Sequence, residues 1–441
     1  MSNTRSRYLL LSDGLYRDAS GRVARLAYSV RRATLFAVDA RTGEALERND
    51  LDAIDGDQAA RLAALSAVVP DEEDELARVL EAMRTGSDDP SQRSFTIMPT
   101  AYCNMACSYC GQEHFKSSIR MQRVAERVEA VIADPVTRNV RVTWFGGEPM
   151  LALGVIRELS TRFLTAAKAH GKSYTAGMPT NGSLLTDRTL KVLREECGLD
   201  AIEVTIDGPP EVHDRRRLKR NGTGSFHQIT SVLRDSLPPG LNLTIRVNID
   251  AENEDSVTDL ILELARIPLK ANLALMPVHS WGNDVSDVEL EVRRFAQLEA
   301  QWLRLAESLG LGFGAIPNAL KRTTCVATTR FSEVVDPAER VYSCSEHPLV
   351  PGVRDSGIVA TVDELAGSGP RPAGAFDDWY DSVAAEEFQC GRCPILPVCG
   401  GSCPKLWREG HIPCPSIKFN FQDRLEIAAR RLGFTRFSET Q

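Results

Sequence analysis

The residues best suited to chemistry form one short run that begins at Cys103 and ends at Cys110. Its three cysteines, Cys103, Cys107 and Cys110, follow a Cys-x3-Cys-x2-Cys pattern. Three thiolates can hold three irons of a [4Fe-4S] cube and leave the fourth iron free to bind a small molecule. Structural zinc instead prefers four closed ligands, and the next cysteine, Cys197, lies far along the chain. The spacing therefore favours a cluster with an open iron.

Three further motifs each follow a strand-like run of apolar and β-branched residues. They are Gly146-Gly147-Glu148-Pro149, Thr180-Asn181-Gly182-Ser183-Leu184-Leu185, and Ile206-Asp207-Gly208-Pro209 with the downstream His213, Asp214 and Arg217. Glycines allow a close approach of the backbone, and Glu148 offers a carboxylate for an ammonium group. In β/α barrels, chemistry occurs at the carboxyl ends of the strands. The positions of these motifs thus predict one site shared by several strands.

The four motifs, in their order and approximate spacing, resemble the radical S-adenosylmethionine (SAM) superfamily, in the branch that carries extra C-terminal clusters. This resemblance covers about half the chain. It implies that Cys103, Cys107 and Cys110 hold a SAM-binding [4Fe-4S] cluster. The residues that it assigns to SAM binding are Gly146, Gly147 and Glu148 at the methionyl amino group, Asn181 and Ser183 near the ribose or carboxylate, and Arg217 at a carboxylate.

The same resemblance implies a reaction in which reduced SAM yields methionine and a deoxyadenosyl radical, which removes a hydrogen atom from the substrate. An electron donor such as flavodoxin or ferredoxin would be the redox partner. The cofactor performs this chemistry, while the protein supplies orientation and a dry site. Among the basic residues Arg215 to Arg220, we expect a solvated loop with Arg217 as the exception.

Seven of the eleven cysteines fall between positions 325 and 414. They are Cys325, Cys344, Cys390, Cys393, Cys399, Cys403 and Cys414. Zinc is one alternative, because Cys-x2-Cys pairs suit it. The pattern also resembles the SPASM extension, which houses two auxiliary [4Fe-4S] clusters. That resemblance assigns Cys325, Cys344 and Cys403 to the nearer cluster, and Cys390, Cys393, Cys399 and Cys414 to the farther one. The nearer cluster then has an open iron or a non-cysteine ligand.

Two positions depart from the pattern of this extension. Glu339 stands where members often have glycine, so the local turn is expected to differ. Ser345 stands where the sulfatase-maturating members have an aspartate base, which makes sulfatase maturation a weaker hypothesis. Glu346 or His347 could serve as a base instead, or both could be surface residues.

The bulk properties exclude several classes of protein. The 441 residues carry a net charge of -8, whereas nucleic-acid binding needs a basic face. We expect no membrane partner, because no apolar run approaches the ~20 residues of a membrane span. The N-terminus lacks a signal-peptide pattern, so the sequence predicts a cytoplasmic protein, in which cysteines bind metal rather than form disulfides. Cys197 follows Leu190 and Leu193 at helical spacing and is predicted to be a core residue.

The predicted fold class is α/β, with three units. Residues 1–91 comprise a small α+β unit that resembles winged-helix peptide-recognition domains, with a linker from Thr85 to Ser91; the alternative is a simple cap. Residues 92–310 form a partial (β/α)6 barrel, with strands predicted at Ser94–Thr100, Val140–Phe145, Ser173–Met178, Ala201–Ile206, Leu241–Asn248 and Asn272–Met276. Residues 311–441 form the SPASM unit.

Three functions remain at this point. The first is a peptide-modifying radical SAM/SPASM enzyme, with a ribosomally made precursor peptide as substrate. The second is oxidation of a serine or cysteine in a protein substrate, as in sulfatase maturation. The third is a zinc-stabilised binding protein. The sequence does not identify the catalytic base, the precursor or the bond formed.

Overall fold

The computed structural model describes residues 2–117, 121–365 and 367–438. Its strands are β1 (Asn3–Arg5), β2 (Leu9–Arg17), β3 (Val23–Ser29), β4 (Thr34–Asp39), β5 (Val68–Pro70), β6 (Gln92–Ile97), β7 (Met105–Cys107), β8 (Asn139–Trp144), β9 (Ser173–Thr180), β10 (Leu199–Thr205), β11 (Arg217–Lys219), β12 (Asn242–Ile249), β13 (Ala271–Pro277), β14 (Ser332–Val335), β15 (Arg340–Tyr342), β16 (Ile358–Thr361) and β17 (Thr435–Arg436).

Its α-helices are α1 (Ala40–Arg48), α2 (Gly56–Ala64), α3 (Glu75–Ser87), α4 (Met121–Ala133), α5 (Leu153–Ala169), α6 (Asp187–Lys191), α7 (Pro210–Arg216), α8 (Phe226–Ser236), α9 (Val257–Arg266), α10 (Val292–Ser308), α11 (Trp379–Ala384), α12 (Leu396–Cys399), α13 (Pro404–Arg408) and α14 (Ile417–Arg431). A π-helical turn, Val192–Glu196, extends α6.

A nine-stranded sheet forms the centre, in the order β13-β12-β10-β9-β8-β6-β14-β15-β16. The six predicted strands are all present and lie side by side in chain order, each parallel to the next. Helices alternate with these strands, as repeated β/α units require. The predicted α/β class with a central parallel sheet is therefore confirmed.

The main core lies between this sheet and its helices. Val142 and Trp144 of β8 are fully buried, as are Val131 and Ile132 of α4. Each such side chain contributes roughly 1.5–3 kcal/mol through removal of apolar surface from water. Cys197 is fully buried in the same core, which confirms its predicted place.

Strand β14 extends the parallel sheet beyond the six predicted strands. It pairs with β6, with Ser332 opposite Ser94 and Val335 opposite Ile97. All four of its residues are buried, so no alternation of polar and apolar side chains marks it in the sequence. Strands β15 and β16 then continue the sheet in antiparallel fashion. This extension attaches the cysteine-rich C-terminal segment directly to the barrel.

The N-terminal sheet has the order β17-β2-β3-β4. A glycine at position 14 predicts a turn between the first two strands, but β2 continues through Gly14 with an irregularity between Leu11 and Leu15. The linker expected from Thr85 is also shorter than predicted, since α3 continues to Ser87. Helix α1 was not predicted, although Asp39 caps it by accepting a hydrogen bond from the Thr42 N–H at 2.9 Å.

The N-terminal and C-terminal segments share a second core. Tyr28 of β3 donates a hydrogen bond to the Pro317 carbonyl at 2.7 Å, and its ring centroid lies 5.8 Å from that of Phe421. Leu80 of α3 and Trp379 of α11 are buried in this same cluster. The limits 1–91, 92–310 and 311–441 remain a prediction, and this core joins the first segment to the third. None of the described helices has the length and apolarity that a membrane crossing needs.

Candidate functional site

A cleft of about 330 Å³ lies where the parallel strands β8, β9, β10, β12 and β13 end. This volume is within the roughly 300–1,000 Å³ of small-molecule sites. Eight of the nine residues predicted for the cluster and for SAM line it. They are Cys103, Cys107, Cys110, Gly146, Gly147, Glu148, Asn181 and Arg217. Motifs separated by more than a hundred residues thus meet at one place.

The cysteine run is held by a small two-stranded sheet. Strand β7, which contains Cys107, pairs antiparallel with β11, so that Cys107 lies opposite Arg217. The N–H of Cys110 donates to the Cys107 carbonyl at 3.2 Å, which closes a tight turn between them. Sequence periodicity could not reveal this pairing, because each strand has only three residues.

The expected solvated loop at 215–220 is wrong in part. Arg216 is buried in α7 and donates to both oxygens of Asp250, at 2.9 and 2.6 Å. Residues Arg217–Lys219 form β11 rather than a loop. The basic run therefore fixes the wall of the cleft, and Arg215 and Arg220 are its exposed members.

Gly146 and Gly147 are required by the protein's own packing. A Cβ on Gly146, whose φ is +116°, would lie 2.4 Å from the Thr100 carbonyl oxygen. A Cβ on Gly147 would lie 2.5 Å from the Tyr102 carbonyl oxygen. The next N–H, that of Glu148, donates to the same Tyr102 oxygen at 2.9 Å. These glycines let the loop after β8 clamp the chain that leads into Cys103.

Glu148 is 1% exposed at the wall of the cleft. Its carboxylate accepts hydrogen bonds from the Met150 N–H at 3.0 Å, the Thr180 hydroxyl at 2.7 Å and the Asn181 N–H at 2.8 Å. Burial raises the pKa of this carboxyl group, and the three donors oppose the rise. Two carboxylate oxygens offer about four lone-pair positions, so Glu148 keeps capacity for one further donor.

Asn181 and Ser183 belong to one hydrogen-bonded group with Asn104. The Asn181 amide donates to Asn104 Oδ1 at 2.8 Å, and the Ser183 hydroxyl donates to Asn181 Oδ1 at 2.7 Å. Asn104 in turn donates to Ser183 Oγ at 2.9 Å. Asn181 lines the cleft, whereas Ser183 is the one predicted SAM residue that does not. Ser183 thus orients Asn181, and direct contact between Ser183 and SAM remains a prediction.

A buried polar network lies beneath the cysteines, and sequence analysis missed it. Tyr109 Oη donates to Asp207 Oδ2 at 2.5 Å, and Asn248 Nδ2 donates to Tyr109 Oη at 3.0 Å. Arg217 donates to Tyr109 and lies 3.4 Å from Asp207. Burial disfavours the charge of Arg217, but Cys107, Tyr109 and Asp207 together raise its pKa. Arg217 is therefore a permanent cation beside the cysteine run.

The thiols of the run suit a metal cluster in their burial and setting. Burial raises the pKa of Cys103 to about 11 and also raises that of Cys110. A ligand thiol must lose its proton, and a bound metal supplies the positive charge that permits this. Three thiols on one cleft, with a cation next to them, fit a [4Fe-4S] cluster. Within the described residues, no three His, Cys, Asp or Glu side chains are placed to chelate a single metal ion.

Four C-terminal cysteines line one small cavity: Cys390, Cys393, Cys399 and Cys414. Burial, with smaller contributions from its three cysteine partners, raises the pKa of Cys390 to about 12. Lys418 Nζ donates to Cys414 Sγ at 3.4 Å. The structure thus brings together the four residues that the SPASM resemblance assigned to the farther cluster.

The other three cysteines, Cys325, Cys344 and Cys403, form a separate group. Burial raises the pKa of Cys344, and Cys325 and Cys403 contribute to the rise. Cys344 and Phe376 belong to one small buried cluster, and Cys325 packs against that cluster. Glu339 has a φ of 63°, so it adopts the left-handed conformation that a glycine would favour. The turn at Glu339 was expected to differ from the turn in members that have glycine there. Its backbone nevertheless has the conformation that glycine favours.

Glu346 and His347 have different surroundings in the structure. Glu346 is half-buried and lines the cleft together with Cys110. His347 does not line the cleft; it packs on Phe376, with ring centroids 5.8 Å apart. Burial raises the pKa of Glu346, whereas Arg246 and Lys405 oppose the rise.

Comparison with known proteins agrees with this geometry. Residues 97–264 match the family model of the radical SAM superfamily. The serine-type anaerobic sulfatase-maturating enzyme of Bacteroides thetaiotaomicron is 32% identical over 143 residues, which cover 29% of this chain and 32% of that enzyme. The GTP 3',8-cyclase of Chlorobaculum tepidum is 31% identical over 155 residues, 34% of this chain and 43% of the cyclase.

A solved structure, native anSMEcpe with bound AdoMet and Cp18Cys peptide, has the same fold. It aligns with a TM-score of 0.57 and 15% identity over 77% of this chain and 98% of that one.

The matches to the two curated relatives span about a third to two fifths of the lengths of those relatives. Those relatives have different activities, so the shared part defines the domain and not the substrate.

Proposed function

We propose that the protein is a peptide-modifying radical SAM enzyme that acts on a ribosomally made precursor. The single observation that carries the proposal is the cleft where Cys103, Cys107 and Cys110 meet Glu148 and Arg217. With a [4Fe-4S] cluster and SAM bound, this site would supply a deoxyadenosyl radical for hydrogen abstraction.

The protein's own residues have distinct tasks in this proposal. Glu148 binds the methionyl ammonium through its one remaining lone-pair position, and Asn181 presents its amide to the rest of SAM. Arg217 pairs with a carboxylate and stays charged because Tyr109 and Asp207 lie against it. Both glycines hold the loop that positions Cys103. The low dielectric of this partly closed cleft strengthens each of these contacts.

The C-terminal cysteines hold two auxiliary [4Fe-4S] clusters of the SPASM type. Support comes from their division into a group of four around one cavity and a group of three beside the cleft. Clusters at these places could accept the electron that remains after hydrogen abstraction and bond formation. An electron donor such as flavodoxin or ferredoxin supplies the first electron, in the cytoplasm.

The N-terminal unit captures the precursor. Strand β4 is at the edge of its sheet and pairs only with β3 within the described chain. A groove runs beside it, lined by Phe36, Val38, Arg61 and Leu65 among others. An extended peptide can add to such an edge through main-chain hydrogen bonds, with side-chain pockets for specificity.

Sulfatase-type maturation is the second candidate, and the similarity to a sulfatase-maturating enzyme favours it. The solved neighbour, anSMEcpe, has AdoMet and a Cp18Cys peptide bound, which is compatible with either candidate. Ser345 stands at the position of that family's aspartate base, which argues for a different reaction.

The test uses anaerobically purified protein, reconstituted with iron and sulfide and then reduced. We expect about 12 irons, which is three four-iron clusters, and formation of 5'-deoxyadenosine from SAM. Short peptides encoded beside the gene should be modified, and a sulfatase-derived peptide should not gain formylglycine. Formylglycine on that peptide alone would favour the second candidate. Zinc without iron and sulfide would instead support a zinc-stabilised binding protein.

A further inference from the structure

The seven C-terminal cysteines leave one ligand position unfilled. Cys390, Cys393, Cys399 and Cys414 surround one cavity and complete a four-ligand set. Cys325, Cys344 and Cys403 influence one another and form a set of three. A four-iron cluster has four iron atoms to ligate, so the second set needs a ligand that is not cysteine or stays open.

Glu346 is the candidate for that ligand, because it lies beside the three-cysteine set and at the cleft. It follows Cys344 by two positions, in a turn where the His347 N–H donates to the Cys344 carbonyl at 3.3 Å, and its side chain lines the cleft with Cys110. Its carboxyl group acts electrostatically on Cys344 and also on Cys403, which comes from a different part of the chain. The same carboxyl group acts on Cys110 across the cleft. Glu346 thus lies between the three-cysteine group and the SAM site.

The carboxylate of Glu346 is also free to bind. No side-chain hydrogen bond occupies it within the described residues, in contrast to Glu148 with its three donors. Arg246 and Lys405 act on it as nearby cations, but both are engaged elsewhere. Arg246 donates to Asn248 at 2.8 Å, and Lys405 donates to Glu409 at 2.7 Å.

The neighbouring polar side chains are less suitable. His347 is 7% exposed, and its Nδ1 faces Gly357, where an added Cβ would lie 2.4 Å from that nitrogen. Thr328 Oγ1 donates to the Cys325 carbonyl at 3.0 Å. Neither of them lines the cleft.

We propose that Glu346 is the fourth ligand of the cluster at Cys325, Cys344 and Cys403, bound on the side that faces the SAM cleft. This inference rests on the proposed function, because it requires the auxiliary clusters. Thiolates are the preferred ligands of iron–sulfur clusters, and carboxylates are harder donors. The Glu346 position is therefore the most exchangeable of the eight auxiliary ligand positions, and it opens toward the substrate.

The experiment isolates the auxiliary clusters. The parent protein carries Cys103→Ala, Cys107→Ala and Cys110→Ala, so that only the C-terminal sites hold iron, about 8 atoms after anaerobic reconstitution. Into it are placed Glu346→Ala, the isosteric Glu346→Gln, Glu346→Cys, and His347→Ala as the neighbouring control. Iron content and EPR spectra are recorded before and after mild oxidation.

We expect Glu346→Ala and Glu346→Gln to lose about one iron atom on oxidation and to show a three-iron EPR signal. Glu346→Cys should retain all its iron and resist oxidation better than the parent, while His347→Ala should behave as the parent does. Spectra that are identical in all the Glu346 variants would overturn the assignment, as would the three-iron signal in His347→Ala alone. A parent that binds no iron would overturn the proposed function itself.

Discussion

At the scale of single residues, the site depends on polar groups that are buried and already paired. Sequence motifs were sufficient to predict which side chains meet at the cleft, since eight of the nine line it. They could not predict the partners of these side chains. In the sequence, Tyr109 is only an aromatic residue next to Cys110, and its bonds to Asp207 and Asn248 depend on tertiary structure.

Replacement of Glu148 tests its proposed contact with SAM. Glu148→Gln removes the negative charge that would face the ammonium, and hydrogen bonds to charged groups contribute about 1.5–3 kcal/mol. We expect SAM affinity to fall by roughly 10- to 150-fold in calorimetric titration of the reconstituted protein. Glu158→Gln, at an exposed position of α5, is the control and should bind normally. Equal affinity in both variants would contradict the contact.

His213 gives a prediction for pH dependence. Burial, with a contribution from Arg217, lowers its pKa from 6.5 to about 4. Between these values the unfolded chain binds a proton that the folded chain does not, so stability falls as the pH drops from 6.5 toward 4. His213 alone should lower the free energy of unfolding by about 2 kcal/mol between pH 7.5 and 5.0. Urea unfolding at pH 7.5 and 5.0 should show that His213→Gln loses less unfolding free energy between the two values than the unchanged protein does. Equal losses in the two proteins would refute the role of His213.

At the scale of elements, hydrophobic patterning predicted the six barrel strands within a few residues. It failed where an element is very short or is defined by its partner. Strand β14 has four buried residues, and β7 and β11 have three each. Such segments exist because a distant strand supplies their hydrogen bonds, and a single sequence carries no sign of that partner.

The loop after β8 offers a test of an element's role. Gly146→Ala places a Cβ 2.4 Å from the Thr100 carbonyl at a φ of +116°. We expect a loss of at least about 2 kcal/mol, from steric overlap and from the left-handed backbone. Gly154→Ala in α5 meets no atom within 4 Å and should stabilise the protein by about 0.5–1 kcal/mol. Chemical denaturation compares the unfolding free energies of the two variants. An unchanged value in Gly146→Ala would show that this loop can shift to accommodate the added Cβ.

At the scale of the whole molecule, the cysteine-rich segment is structurally continuous with both other units. Strand β14 joins the barrel sheet and β17 joins the N-terminal sheet. The sequence predicted three units. It could not show that the first and third share a core, because that core is formed from residues far apart in the chain.

Tyr28 tests this shared core. Tyr28→Ala removes a fully buried ring and its bond to Pro317, and large-to-small changes of this kind cost about 3–5 kcal/mol. We expect one cooperative transition, shifted to lower temperature, in the fluorescence of the five tryptophans, which include Trp144 of the barrel core and Trp379 of the shared core. Tyr28→Phe loses only the hydrogen bond and should cost about 1 kcal/mol. A C-terminal transition unmoved by Tyr28→Ala would show that the segments are independent.

The central claim is that Cys103, Cys107 and Cys110 hold a cluster with an iron open to SAM. EPR of the reduced, anaerobically reconstituted protein tests it most directly. The account predicts a [4Fe-4S] signal that changes when SAM is added, that disappears in Cys107→Ala, and that persists in Cys197→Ala, whose thiol lies in the barrel core. The absence of any [4Fe-4S] signal that responds to SAM, or a SAM-responsive signal that Cys107→Ala leaves unchanged, would contradict it.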